Sequence, residues 1–181
     1  KLLIVTGSAF KFHDLSLQLK DFFDCEQREW NEHEIQGSPE QIVRHKAQKA
    51  FEIFNQPVLV DDVSVSIGAL NGFPGPYMKD FWKCFTPYEM GCKFAGSRVS
   101  ATCYLGLCRG KGDMVIVEGM HEGNIVAPKH NDHQGRSFEL FVQLDGTDKV
   151  MLEFTPEERN KHSHRGKAIR NLLEILKKEK K

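Results

Sequence analysis

Two neighbouring carboxylates, Asp61 and Asp62, interrupt an apolar stretch of the chain. The segment "VLV" before them is typical of a buried strand, and the apolar pattern resumes at Val63. Successive side chains of a strand point to opposite faces, so the two carboxylates cannot act as one bidentate group. We expect one of them to face a cleft and the other to be held by hydrogen bonds. Because an unpaired buried charge is costly, the pair favours a functional role.

A third carboxylate, Glu34, stands in the polar segment "NEHEIQGSPE", just before a predicted helix. Together with the acidic pair it could ligate a divalent cation. Carboxylate oxygens are hard ligands, and in combination with phosphate oxygens they suit magnesium.

The segment "TGSAFK" combines the end of a strand, a glycine turn and the first turn of a helix that carries Lys11. The amides at a helix N-terminus attract phosphate, and the lysine adds a positive charge. The spacing is not that of a P-loop. Taken alone, the same pattern is more often an ordinary turn before a helix.

The segment "ERNKHSHRGKA" brings Ser163, His164 and Arg165 to the start of the last predicted helix. Ser163 is a candidate N-cap, which is the plainer interpretation of this residue. His164 and Arg165 are hydrogen-bond donors suited to an acceptor-rich base edge or to a phosphate. Nothing around them indicates a Ser-His-Asp catalytic triad.

These residues must be positioned by an α/β fold, because strand and helix patterns alternate over the first 60 residues. Helices are predicted in "SAFKFHDLSLQLKDFF" and in "GSPEQIVRHKAQKAFEIF", with Ser8 and Ser38 as N-caps. The middle of the chain predicts an antiparallel meander with turns at "RGKGD" and "HEG" and a possible second lobe. After the polar loop "HNDHQGR" we expect a strand in "SFELFVQLDG" and a short helix. A final amphipathic helix should follow, with these residues facing inward: Ala168, Leu172, Leu173 and Leu176. We treat residues 1–181 as one domain.

The composition excludes several classes of protein. Lysine plus arginine and aspartate plus glutamate balance at 25 each, so nothing predicts binding to nucleic acid or to a membrane. No apolar run is long enough for a membrane span. The odd number of cysteines, five, and the apolar surroundings of Cys103 and Cys108 predict reduced thiols in an intracellular protein.

Four motifs, in order and spanning almost the whole chain, resemble those of the inosine triphosphate pyrophosphatases, the RdgB-like nucleotide hydrolases. "TGSAFK" is similar to T-G-N-x-x-K, and "VLVDDVSVSIGALNGFPGPYMKDF" to the family's acidic segment followed by A-L-x-G-x-P-G-P-Y. "GNIVAP" is similar to G-x-I-x-x-P, and "ERNKHSHRGKA" to K-N-x-x-S-H-R-x-x-A. The resemblance implies an elongated mixed sheet with flanking helices, two lobes with a nucleotide cleft between them, and a homodimer.

The resemblance also implies a function and a set of site residues. The reaction would be Mg²⁺-dependent hydrolysis of ITP, dITP or XTP to the monophosphate and pyrophosphate, as cytoplasmic nucleotide-pool sanitation. Asp62 would be the catalytic carboxylate, supported by Asp61, and Glu34 would share the metal. The phosphates would contact Thr6, Gly7, Ser8, Lys11, Lys46 and Lys79. The base would lie against Phe138 and near Glu139, and its edge would be read by Arg159, His164 and Arg165. Ser163 would also belong to the substrate-binding residues.

The chain departs from the family pattern at several positions, and the largest departure is at the end that holds the base. Ser8 replaces an asparagine, Val63 a hydroxyl residue and Arg159 a lysine. The family's F-G-[YW]-D-P-x-F becomes "RSFELFV". We therefore expect a weaker preference for 6-oxo purines than in a typical relative. Two alternatives stay open: pyrophosphohydrolysis of standard or modified pyrimidine triphosphates, and a nucleotide-binding module with vestigial activity.

Overall fold

The computed structural model describes residues 1–31, 33–129 and 138–180 of the chain. The predicted polar loop "HNDHQGR" lies outside these residues, as does the beginning of "RSFELFV". The described residues form one sheet of seven strands in the order β2-β1-β3-β5-β6-β7, with β4 paired to β3. The strands are β1 Leu2–Val5, β2 Cys25–Arg28, β3 Val58–Ile67, β4 Pro74–Gly75, β5 Arg98–Gly110, β6 Asp113–Ile125 and β7 Val142–Leu144.

Helices flank this sheet, and the predicted mixed α/β class is confirmed. They are α1 Ala9–Leu19, α2 Pro39–Phe54, α3 Met78–Phe81, α4 Pro87–Lys93, α5 Pro156–His162 and α6 His164–Glu179. Three short 3₁₀ turns cover Gly68–Leu70, Phe138–Leu140 and Met151–Glu153. No helix in the described part of the chain is long and apolar enough to cross a membrane.

Local sequence accounts for the start of α2. The Ser38 hydroxyl accepts from the Gln41 amide (3.3 Å), and the Gln41 side chain accepts from the Ser38 amide (2.9 Å), which forms a capping box. Pro39 at the first position has no N–H to leave unsatisfied. The apolar spacing then buries one face of the helix through Ile42, Val43, Ala47 and Ala50.

The chain divides into two compact units. The first comprises Lys1–Asp62, Cys103–Gly119 and Lys167–Lys181. In it β1 pairs in parallel with both β2 and β3, so the carboxyl ends of these strands share one edge. The core of this unit is formed by Leu3, Val5, Val43, Ala47, Ala50, Val58, Val60 and Cys108.

The second unit comprises Val63–Thr102 and Met120–Gly166. Its core contains Met90, Phe141 and Met151, each fully buried. The segment "NGFPGP" follows the 3₁₀ turn Gly68–Leu70 and includes β4. Asn71, Gly72 and Gly75 adopt positive φ angles of 51°, 93° and 59°, a conformation that glycine and asparagine reach at low cost.

Several predicted boundaries are wrong. No turn occurs at "HEG", because β6 continues through it to Ile125 with alternate residues buried. From Phe138 onward, the predicted strand is a 3₁₀ turn, Phe138–Leu140, followed by the three-residue β7, because the Phe141 amide donates to the nearby Phe138 carbonyl. Helix α1 ends at Leu19, whose carbonyl accepts from the amides of Phe22 and Phe23.

The C-terminal helix also differs in detail from the prediction. Leu173 is only half-buried, and Ile169 takes its place in the core. The Lys-rich end is anchored at Lys180, whose ammonium donates to the Asp21 carbonyl (3.1 Å) and lies 4.1 Å from the centre of the Phe22 ring.

Candidate active site

The acidic pair lies near the carboxyl end of the parallel part of β3, and its two side chains lie in different environments. Asp61 is 5% exposed, and its Oδ2 is 2.7 Å from the ammonium of Lys11. Asp62 is half-buried, and its Oδ2 is buried without a hydrogen-bond partner in the described part of the chain. Asp61 is therefore held in an ion pair, whereas one carboxylate oxygen of Asp62 has no hydrogen-bond donor among the described residues.

Glu34 and Lys46 join Asp62 in one electrostatic cluster. The Lys46 ammonium, on α2, is 3.2 Å from Glu34 Oε1. Burial raises the pKa of Asp62 to about 7, and the charges of Glu34 and Asp61 add to this effect while those of Lys46 and Lys11 oppose it. Burial lowers the pKa of Lys46, but the carboxylates of Glu34, Asp62 and Asp61 outweigh it and leave that pKa raised.

The start of α1 carries Lys11, whose ammonium is paired with Asp61 of the acidic pair. The Ser8 amide donates to Thr6 Oγ1 (3.1 Å), and the Lys11 amide donates to Ser8 Oγ (3.3 Å). Ser8 is therefore the N-cap of α1, as predicted. A Cβ atom on Gly7 would lie 3.2 Å from Glu29 Oε1, so the turn is closely packed on that side.

The carboxylates of this cluster fit a magnesium ion. The buried Asp62 oxygen without a donor is the kind of atom that a bound cation would neutralise, and Glu34 supplies a second hard oxygen. The described residues contain no group of three or more ligating side chains. Two carboxylates are nevertheless typical of magnesium sites, where water and phosphate oxygens complete the octahedron.

A second cluster of predicted site residues lies within the second unit. The ring centres of Phe138 and His164 are 5.6 Å apart. His121 contacts both rings, with its centre 4.7 Å from that of His164 and 6.2 Å from that of Phe138. His121 and His164 are each 4% exposed. The three side chains therefore form a compact aromatic group.

The remaining residues predicted to bind the base are close to Phe138 or His164 in sequence. Arg159 Nη1 is 3.2 Å from Glu139 Oε2, and both side chains are about three-quarters buried. The Ser163 hydroxyl accepts from the Gly166 amide (3.0 Å), which confirms Ser163 as the N-cap of α6. Arg165 follows it and is half-buried.

Among the described residues, no contact joins Lys79 to either cluster. It is exposed on the four-residue helix α3 and forms no ion pair with the residues that the structure describes. Its contact with phosphate stays a prediction.

Sequence reasoning missed His121. The signal was present, because in β6 the alternation of inward residues places it in phase with Val117 and Ile125, both buried. A buried histidine in a strand requires a polar partner. The turn wrongly predicted at "HEG" hid the inward position of His121.

The mixed sheet and an acidic pair flanked by two lysines define an α/β protein whose carboxylates could hold a divalent cation and whose lysines could hold an anionic ligand. The family model for the Ham1 family matches residues 2–175, and the chain belongs to that family.

Two relatives are similar to this chain in sequence over most of its length. A protein from Schizosaccharomyces pombe named inosine triphosphate pyrophosphatase is 35% identical over 183 residues, which cover 99% of this chain and 96% of that protein. A protein of the same name from Scheffersomyces stipitis is 37% identical and covers 79% of this chain and 75% of its own length.

Solved structures show the same fold. A HAM1 protein from Coxiella burnetii superposes with a TM-score of 0.83 at 21% identity, covering 98% of both chains. A structure titled nucleoside-triphosphatase / dITP/XTP pyrophosphatase, from Mycobacterium abscessus, superposes with a TM-score of 0.71 at 22% identity, covering 97% of this chain and 98% of that one.

Proposed function

We propose that this protein hydrolyses non-standard purine nucleoside triphosphates, such as ITP, dITP and XTP, to the monophosphate and pyrophosphate. Membership of the Ham1 family and the names of its relatives support this reaction. The observation that carries the proposal is the buried, unused oxygen of Asp62 beside Glu34 and two lysines. Such hydrolysis would remove damaged nucleotides from the nucleotide pool.

The triphosphate would bind the first cluster. Lys46 and Lys11 place positive charge near Asp62, and the Thr6–Ser8 turn opens α1, whose N-terminus favours an anion. Glu34 and Asp62 would hold the magnesium ion. When bound, that ion would neutralise charge on the phosphate oxygens. Lys79 would add a phosphate contact.

Asp62 is suited to orient the attacking water or to accept a proton from it. Burial brings the pKa of this carboxyl to about 7 in the metal-free chain, and a bound magnesium ion would lower that pKa and favour the ionised form that either role needs. The attack would fall on the α-phosphorus, since pyrophosphate is the leaving group. Asp61 would act indirectly, by holding Lys11 in place through their 2.7 Å ion pair.

The base would bind the second cluster. A 6-oxo purine presents acceptors at O6 and N7, and donors from His164 and Arg165 match them. Phe138 would pack against the ring system, with the ion-paired Glu139 and Arg159 beside it. Adenine presents an amino group instead of O6, so it would leave these donors unpaired and would be disfavoured.

Homodimer formation and a cytoplasmic location belong to the same proposal. Both rest on the resemblance to the inosine triphosphate pyrophosphatases, and the reduced cysteines predicted from the sequence agree with the location. Light scattering of the purified protein would measure its oligomeric state.

A substrate panel tests the proposed function. Release of pyrophosphate from ITP, dITP, XTP, ATP, GTP, CTP, UTP and dTTP would be measured with magnesium, and Asp62→Asn would serve as the control for contaminating activity. We expect kcat/KM to be highest for the inosine and xanthosine nucleotides. A preference for pyrimidine nucleotides would favour the alternative enzyme, and tight binding without turnover would favour a binding module.

A further inference from the structure

We propose that His121 is a positioning residue for the base-reading segment, and that it contributes to the discrimination between 6-oxo and 6-amino purines. This inference rests on the proposed function, because it concerns how the same site selects its base. His121 would not touch the reacting atoms. It would act through His164.

The first observation is a hydrogen bond between two distant parts of the chain. The backbone amide of His164 donates to Nδ1 of His121, with a nitrogen–nitrogen distance of 3.1 Å, and the bond is buried. His164 is the first residue of α6. The first amides of a helix have no partner within the helix, so an acceptor from outside must satisfy them.

The start of α6 therefore has two side-chain caps with different origins. Ser163, the residue before the helix, accepts from the Gly166 amide. His121, on β6, accepts from the amide that Ser163 does not reach. The second cap ties the helix start to a strand of the sheet, which fixes where the His164 and Arg165 side chains begin.

The second observation is the contact between the two imidazole rings. The rings of His121 and His164 meet edge to face, with centres 4.7 Å apart and planes at 89°. Because Nδ1 of His121 accepts from a backbone amide, a neutral His121 carries its proton on Nε2. The bond thus sets both the tautomer of His121 and the surface against which His164 rests.

Packing leaves the His164 ring little freedom. Besides His121, the His164 ring contacts Phe138, with ring centres 5.6 Å apart. His164 is 4% exposed. A Cβ atom on Gly166 would collide with the carbonyl oxygen of Asn160, so the first turn of α6 cannot shift freely towards α5. Loss of the Nδ1 acceptor of His121 would therefore rotate or displace His164.

Two substitutions separate the acceptor from the ring. His121→Phe keeps a ring of similar size but removes the acceptor. His121→Asn shortens the side chain but places an amide oxygen near the position of Nδ1. The readout is the ratio of kcat/KM for ITP to that for ATP, which a general loss of folded protein leaves unchanged.

We expect His121→Phe to lower this ratio roughly tenfold, mainly through a higher KM for ITP, because one buried hydrogen bond is lost. His121→Asn should stay within about threefold of the wild type. If His121→Phe does not fold, His121→Gln takes its place, since its longer side chain carries the amide oxygen away from the Nδ1 position.

A double-substitution cycle with His164→Ala tests whether His121 acts through His164. In the His164→Ala background, His121→Phe should change the ratio by less than about threefold, because the side chain being positioned is absent.

The results that would overturn the inference are distinct from those that would overturn the function. A wild-type enzyme without preference for ITP would remove the proposed function and this inference together. A wild-type preference that His121→Phe leaves intact would remove this inference alone. Equal losses in His121→Phe and His121→Asn, or full additivity with His164→Ala, would also overturn it.

Discussion

Replacing Asp62 by asparagine should abolish turnover and, at the same time, stabilise the metal-free protein at alkaline pH. Asparagine keeps the size of the side chain but removes the charge that burial disfavours. Catalysis needs that charge, so we expect turnover to fall by on the order of a hundredfold or more. Substitution of a residue with a purely structural role would not be expected to lower turnover and raise stability at the same time.

The size and pH dependence of the stability effect follow from the pKa of Asp62. The carboxyl has an ordinary value of 3.8 and a value of about 7 in the folded chain. Between these values the folded state holds a proton that the unfolded state has lost, so stability decreases as the pH rises from 4 to 7. The difference sets an upper bound of about 4 kcal/mol, and the partial exposure of the side chain reduces it to about 1–3 kcal/mol.

Chemical denaturation of chelator-treated protein at pH 5 and pH 8 measures this difference. We expect the free energy of unfolding of Asp62→Asn to exceed that of the wild type at pH 8 and to approach it at pH 5. Magnesium should stabilise the wild type at pH 8 by neutralising Asp62, and should have much less effect on the variant.

Asp61→Asn is the matched control, because it removes the neighbouring charge of the same strand. Asp61 is ion-paired with Lys11, so its loss should destabilise the protein by about 1–3 kcal/mol at pH 8. An Asp62→Asn protein that is less stable than the wild type at pH 8, or that retains near-normal turnover, would refute the reasoning. Stabilisation by Asp61→Asn would show that the two roles are reversed.

Three further predictions concern the two clusters. Lys46→Ala should lower kcat/KM for ITP and ATP by similar factors, because phosphate contacts carry no information about the base; a changed ratio in steady-state assays would contradict this. His164→Ala should narrow the advantage of ITP over ATP by about 1–3 kcal/mol, and equal losses for both nucleotides would place it at the wrong end of the substrate. Gly166→Ala should lower the stability by about 1–3 kcal/mol and raise KM for ITP, because its Cβ would collide with the Asn160 carbonyl. Gly110→Ala, where a Cβ meets nothing within 4 Å, is its control in thermal melts.

The fold was predictable where local patterns and tertiary packing agree. The caps at Ser38 and Ser163 and the buried face of α2 follow from residue type and spacing alone. The start of β6 and the turn before it were also predicted, because Gly112 allows the positive φ of 83° that this turn adopts.

Prediction failed where a partner far along the chain decides the structure. The length of β6 depends on its pairing with β7, in which Gly123 and Leu144 are partners. Local sequence at "HEG" resembles a turn, and only that pairing keeps it extended. The same error hid His121, whose partner His164 is 43 residues away.

The candidate site was predicted in its parts rather than in its contacts. Residue types identified Asp62 and Glu34 as candidate members of a polar site, and the resemblance to the inosine triphosphate pyrophosphatases added Lys46. The ion pair of Lys11 with Asp61 and the pKa of Asp62 could not be predicted, because both depend on burial and on distances across β1, β3 and α1.

The most direct test of the central claim is the position of bond cleavage in ITP. The purified protein would hydrolyse ITP with magnesium in water enriched in oxygen-18, and mass spectrometry would locate the label in the products. The account predicts one labelled oxygen in inosine monophosphate and none in pyrophosphate, because water attacks the α-phosphorus. Label in orthophosphate or pyrophosphate, with unlabelled nucleotide, would contradict it.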